Sequence, residues 1–367
     1  MNRYFYYNVV LGTMLNLMLF IPHILVKYRY TGAISSMAVA VVIGTVLSYT
    51  FTYVIQTFPG KGMPEILYLF LPRAVVIPTL LFMAAMWFIA SSIALIGYAV
   101  LINRFFNPDT SAMIVLALLC LVCIYAATRS SLSVMFMMEM GLIINTPLIL
   151  FILMKSVRSE NMSWDAIRTV ANYWQQMPQL APVAAASYLF TGYINFAIYN
   201  RLTPPNFRLR YRWIVPVFGT VFMLISFFVP IGFHGTETVV HYIYLWSVTS
   251  DALIMNYGFI ERVIFVFLIL YLNLTLIYTT SGWHQAMEFV KSCFPANKPD
   301  VDQRKVPLSN WIITSVFGVL TLLHLYFFNE KESFQFASGW LILRLFVESI
   351  TVIGLFILCV RWRRASS

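Results

Sequence analysis

Residues 189–200 read LFTGYINFAIYN. Thr191, Gly192 and Asn195 interrupt a run otherwise apolar enough to cross a lipid bilayer, where a helix-weakening glycine and free polar groups are least tolerated. The surrounding sequence makes that setting a membrane. Of the 367 residues, 60% are hydrophobic and 10% charged, whereas soluble domains carry about a quarter charged residues; the mean hydropathy is +0.79. Apolar runs of roughly twenty residues recur from end to end, each long enough to span a hydrocarbon core of about 30 Å as a helix. The ten-residue alternation of an outer-membrane barrel is not visible. The expectation is an all-α integral membrane protein, with neither a cleavable signal pattern nor a soluble domain.

Ten spans are expected, near 5–26, 32–57, 75–102, 111–127, 133–154, 181–200, 212–231, 258–282, 309–328 and 339–360. The apolar segment 236–250 holds His241 and ends near Asp251, so it reads as an interfacial or re-entrant helix, an eleventh span being the alternative. With the N-terminus inside, the cytoplasmic segments hold about twice as many Lys and Arg as the outer ones, which places both termini in the cytoplasm. The net charge of +10 is then a topology signal facing the anionic headgroups of the bilayer, and nucleic acid is not needed to explain it. Cys120 and Cys123 lie inside the fourth span and read as small core hydrophobes; Cys293 and Cys359 lie near the cytoplasmic side, where thiols stay reduced.

Ten spans divide into five plus five, and an odd number per repeat forces two copies to be inverted across the membrane. The single transmembrane domain 1–367 would then comprise a first repeat over 1–157, an outer amphipathic linker over 158–177 and a second repeat over 178–364. In that architecture small-molecule sites form where the first helix of each repeat is broken near the midplane. Gly12, Thr13 and Asn16 in span one, followed by Pro22 and His23, stand opposite Thr191, Gly192, Tyr193 and Asn195 in span six. Both spans are therefore expected to unwind at their glycines and offer bare peptide groups to a ligand. The alternative is that the glycines merely let helices pack closely. In the linker, Trp164, Ile167, Val170 and Tyr173 or Trp174 recur at helical spacing, which predicts a helix lying on the surface. The charged, Pro-rich centre of 283–308 reads as a flexible connection.

Polar residues within the spans supply the remaining candidates. Trp87 and Ser91 in span three, and Tyr271 and Thr275 in span eight, would complete a ligand pocket with aromatic walls and a few hydroxyls. Glu139 in span five, with Thr279 in span eight, is a candidate ion or proton site, the alternative being a carboxyl that stays protonated or bonds a neighbouring helix. Arg344 and Glu348 share a helix face at i, i+4 and read as a structural ion pair. His234, Glu237 and His241 have spacings that put them on one helical face, but no third histidine accompanies them, so no metal site is expected. No cofactor is expected either, and the absence of a nucleophile motif, phosphate loop or paired carboxylates argues against an enzyme.

The first span through FPGKGMPEIL (58–67), then GYINFAIYNR (192–201), then GFIERVIFVFLILYLNLTLIY (258–278) resembles, in order and spacing over nearly the full chain, the B subunits of bacterial spore germination receptors. Phe58, Pro59, Gly60 and Lys61 with Glu65, and the pair Glu261–Arg262, carry most of that likeness. The family is distantly related to amino acid permeases of the amino acid, polyamine and organocation superfamily. The resemblance implies a nutrient sensor of the spore inner membrane that binds a small-molecule germinant, often an amino acid, and signals to A and C subunits. Where the family often has an acidic residue after the Gly-aromatic pair of span six, Ile194 stands here. The alternative function is a proton- or sodium-coupled secondary transporter of amino acids or similar small solutes, because one fold hosts both.

Overall fold

A computed structural model describes residues 2–106, 108–253, 262–294, 301–302 and 305–366. Glu261 and the loop centre 295–300 lie outside the described residues. The chain is helical throughout: α1 (Asn2–Met18), α2 (Ile21–Lys27), α3 (Ala33–Thr57), α4 (Met63–Phe70), α5 (Arg73–Phe105), α6 (Ala112–Ala127), α7 (Ser131–Val157), α8 (Trp164–Ala171), α9 (Leu180–Tyr188), α10 (Phe196–Tyr199), α11 (Ile214–Thr238), α12 (Leu245–Asp251), α13 (Val263–Ser292), α14 (Leu308–Phe327) and α15 (Glu330–Ser366). Seven of these are long and apolar enough to cross a bilayer. Two bent pairs, α1 with α2 and α9 with the 191–202 segment, pass the same test together, which gives up to nine crossings among the described residues against the ten expected; α6 is apolar but shorter, at 16 residues. The seven residues of α12, at about 1.5 Å each, are too short to cross, so segment 236–250 adds no span.

Spans one and six are both broken, with bends of 53° and 51°. In span one the break falls at Leu19–Phe20 and not at Gly12, which sits inside α1. The cause is Pro22: it has no N–H for the carbonyl of Met18 and its ring crowds that oxygen, so α1 ends there, while its fixed φ suits the first turn of α2. In span six no proline is involved. Leu189 N–H and Phe190 N–H turn back to the carbonyls of Ala186 and Ser187 in tight three-residue bonds, and the Thr191 hydroxyl takes the Tyr188 carbonyl at 2.8 Å, competing with the helical ladder. A short 3₁₀ turn over Thr191–Tyr193 and the four-residue α10 follow.

Gly12 and Gly192 meet where these two spans cross. A β-carbon on Gly12 would lie 3.1 Å from Gly192 Cα, and one on Gly192 would lie 2.5 Å from both the Asn8 carbonyl oxygen and Val9 Cα. Only glycine allows the two backbones to approach so closely.

The helix packing has the form a five-plus-five repeat requires. Span one (α1) packs on span five (α7) as span six (α9) packs on span ten (α15); α3 packs on α9 as α11 packs on α1; α3 on α15 as α11 on α7; α5 on α6 as α13 on α14; and α7 on α13 as α15 on α5. The exchange fails at one place. Helix α1 also packs on α13, whereas α9 makes no comparable contact with α5 among the described residues.

Burial separates the centre from the rim. In the most apolar stretches of α5 and α13, 67% of residues are buried, against 28% in α14. Leu121, Ile144 and Ile350 on the rim are more than half exposed, as expected where the surrounding solvent is hydrocarbon. The surface helix α8 buries Val170 and half-buries Ala166 and Ile167 against α11, with Trp164 turned out.

Candidate functional site

Where α9 and α5 fail to meet, a cavity opens. Its volume is about 60 Å³, and four spans line it. Helix α5 contributes Met83, Met86, Trp87, Ala90 and Ser91; the break of span six contributes Tyr188, Thr191, Ile194 and Asn195. From α13 come Tyr278, Ser281, Gly282 and Gln285, and from α15 come Trp340, Arg344, Val347, Glu348 and Thr351. Each set repeats at three and four residues, the spacing of one helix face. Close approach of α5 and α13 beside the cavity depends on Gly282, where a β-carbon would lie 1.7 Å from Ser91 Oγ.

The polar wall is a buried ion pair. Arg344 Nη1 donates to Glu348, whose other oxygen accepts from the Tyr193 hydroxyl. Arg344 Nη2 donates to the Ala184 carbonyl at 2.8 Å and to Ser187 Oγ at 2.9 Å, and the guanidinium lies 4.7 Å over the Tyr188 ring. A cation is thus held against the last turn of α9, the negative end of that half-helix dipole. Tyr188 and Tyr278 join hydroxyls at 2.6 Å across the cavity's edge. Four residues of the lining each hold a buried polar atom with no partner among the described residues: Arg344 Nε, Trp87 Nε1, Trp340 Nε1 and Gln285 Oε1. Three are donors and one is an acceptor. Buried groups of this kind are normally satisfied, so the cavity is complementary to a guest that presents acceptors, set between aromatic and thioether walls.

Of the residues singled out from sequence, Trp87, Ser91, Thr191 and Asn195 line this cavity. Asn16 lines a smaller adjoining crevice with Tyr188 and Trp340. Gly12 and Gly192 form the helix crossing, and Thr13 Oγ1 donates to the Leu189 carbonyl at 2.8 Å; the peptide groups freed at the span-six break are therefore in part satisfied by the protein itself. Tyr193 reaches the site through Glu348. Tyr271 and Thr275 are buried two turns before Tyr278 and Gly282 on the same side of α13, outside the cavity, with Tyr271 against Tyr98 of α5. Thr279 donates to the Ser91 carbonyl at 3.2 Å, while Glu139 pairs with Arg3 at 3.3 Å, so the structure does not bring Glu139 and Thr279 into one set of contacts. His234 bonds Thr249 and Glu237 pairs with Arg29 and Tyr30; Gly235 at φ 73° separates them. Tyr278, Gln285 and Trp340 were not singled out, although 278, 281, 282 and 285 carry the spacing of one face.

A second cluster closes the face that carries the termini. Arg201, just past the span-six break, donates to Glu65 at 2.7 and 3.1 Å, to Glu288 at 2.7 Å and to Ser292 at 2.9 Å. Lys291 pairs with the other oxygen of Glu288 at 2.8 Å. The Asn200 side-chain amide donates to the carbonyls of Ile55, Phe58 and Lys61, fixing the 58–62 turn that leads into α4. The PGKGMPE and YNR motifs, far apart in sequence, thus meet around one buried guanidinium.

No protein-family model matches the sequence, and no curated protein matches it. Solved structures do. A Na⁺-coupled sialic acid symporter, in a substrate-bound outward-open state, superposes with a TM-score of 0.53 over 97% of this chain and 85% of that one, at 14% identity. At that identity the likeness speaks to fold: the chain is an all-α, multi-pass integral membrane protein with the architecture of a secondary transporter.

Proposed function

We propose that the chain is a secondary transporter of amino acids or similar small solutes, driven by protons or sodium, and that its solute binds in the cavity between α5, the span-six break, α13 and α15. The observation that carries this reading is a cavity beside a broken span whose lining residues hold three unpartnered buried donors and one acceptor. A carboxylate or other acceptor group would take the donors, and an apolar body would lie against Trp87, Tyr188, Met83 and Met86. The excess of Lys and Arg on the termini's side favours a cytoplasmic placement of both termini.

A second reading is kept because a particular contact favours it. Two of the stretches that resemble germination receptor B subunits, 58–67 and 192–201, meet through Glu65 and Arg201, and Arg201 also pairs with Glu288 on α13, a tie across the terminal face. A carrier must break that tie in every cycle, whereas a sensor that passes its bound state to A and C subunits of a spore inner membrane need not. Uptake of labelled amino acids by proteoliposomes containing this chain alone decides between them. Concentrative, gradient-dependent uptake supports the carrier; saturable binding without uptake supports the sensor. If neither uptake nor binding occurs with any amino acid, and Trp87→Phe and Gln285→Leu change nothing across a wider solute panel, the cavity is not a solute site.

A further inference from the structure

Arg201, Lys291, Glu65 and Glu288 neutralise one another, but three other arginines on the same face are arranged differently. Arg208, Arg212 and Arg363 line an open pocket of about 620 Å³ at the ends of α3 and α15. No carboxylate lines it among the described residues. Arg208 is exposed, and the other two guanidiniums are held by contacts that leave their charge uncompensated. Arg212 lies 5.1 Å over the Tyr49 ring and Arg363 lies 4.6 Å over the Tyr53 ring, two tyrosines one helical turn apart on α3. Arg212 Nη1 is 3.4 Å from Thr52 Oγ1, and Arg363 Nη2 is 3.1 Å from Thr57 Oγ1.

The pocket wall is also fixed in place. Gln56 Oε1 accepts from the Leu209 N–H at 3.1 Å, the Tyr6 hydroxyl donates to the Arg210 carbonyl, and Phe207 stacks on Phe196. Tyr211, a bulky side chain, sits at φ 61°, a left-handed conformation that costs free energy unless its surroundings impose it. Its depth is set by the helices: α3 ends at Thr57 and the apolar stretch of α15 gives way to Arg361, Arg363 and Arg364, which is where hydrocarbon gives way to headgroups.

We infer that this pocket binds a phosphate group, and that the anionic headgroup of a phospholipid supplies it. Guanidinium forks match phosphate oxygens two at a time, and three uncompensated arginines at headgroup depth attract an anionic lipid by roughly fivefold in affinity each. A free phosphate or phosphorylated solute has the same chemistry, so the test separates the two sources.

The full chain, purified in a neutral detergent, is titrated with fluorescent phosphatidylglycerol and with fluorescent phosphatidylcholine, with inorganic phosphate as a soluble competitor. The expected result is tighter binding of phosphatidylglycerol, weakened about a hundredfold in R208Q/R212Q/R363Q, with little change in R73Q/R129Q, which removes charge elsewhere on the same face. Should the triple variant prove unstable, R208Q alone, at an exposed position, is expected to lose roughly fivefold. Displacement by millimolar inorganic phosphate but not by unlabelled phosphatidylglycerol assigns the site to a soluble phosphate and overturns the lipid source. Equal binding of the two lipids without phosphate competition, or an equal loss in R73Q/R129Q, overturns the pocket itself.

Discussion

Replacing Gly192 by alanine tests the crossing on which both broken spans depend. The new methyl would lie 2.5 Å from the Asn8 carbonyl oxygen and from Val9 Cα, and 2.9 Å from the Val9 oxygen. Carbon contacts are comfortable only near 3.5–4.0 Å, so α1 and span six must part by about 1 Å. All three obstructing atoms are backbone within α1 and cannot rotate away. Overpacking costs about 1–3 kcal/mol, and here the upper end, about 3 kcal/mol, is expected. Gly12→Ala meets only Gly192, at 3.1 Å, and should cost about 1 kcal/mol. Gly354 has no atom within 4 Å of its added β-carbon, so Gly354→Ala should be neutral within about 0.5 kcal/mol. Thermal unfolding of the three detergent-purified variants, followed by size-exclusion, should rank them in that order, Gly192→Ala melting roughly 5 °C below wild type at about 2 °C per kcal/mol. If Gly192→Ala melts with Gly354→Ala, the close crossing is wrong, and with it the placement of the break beside the cavity.

Three further outcomes follow from the same contacts. Thr13→Val keeps the shape of the side chain but leaves the Leu189 carbonyl without its 2.8 Å donor; a loss of about 1–3 kcal/mol is expected, and equal thermal stability would show that another group reaches that oxygen. Glu348→Gln leaves Arg344 uncompensated in a buried wall and should destabilise by about 3–5 kcal/mol, whereas Arg344→Met with Glu348→Met should recover much of that stability while abolishing solute binding; unaltered binding in the stable double variant would remove the pair from the site. Arg201→Lys retains the charge but not the fork that serves Glu65, Glu288 and Ser292 together. It should open the terminal face, measured as faster proteolysis at the 58–62 turn, and unchanged cleavage would mean that the tie is not what closes that face.

How much of this was legible beforehand depends on the kind of signal each residue carries. That the chain is an all-helical, multi-pass membrane protein followed from composition and run length, because in hydrocarbon a helix satisfies each backbone group locally. The break in span six was readable from Thr191 and Gly192. The break in span one was readable too, but from Pro22 and not from Gly12: a proline acts on the carbonyl four residues before it, whereas a glycine in a membrane helix serves a packing partner that only the fold names. Periodicity showed a polar stripe on α13 at 271, 275 and 279. It held no information on the depth at which that side would meet a cavity: Tyr271 and Thr279 do touch α5, but the cavity opens farther along the helix, at Tyr278, Ser281 and Gln285. Arg201, Glu65 and Glu288 carried no local signature of one another at all. Long-range packing set that depth and assembled these charges, because a side chain's role depends on which neighbour excludes the membrane from it, and neighbours distant in sequence are set by tertiary structure alone.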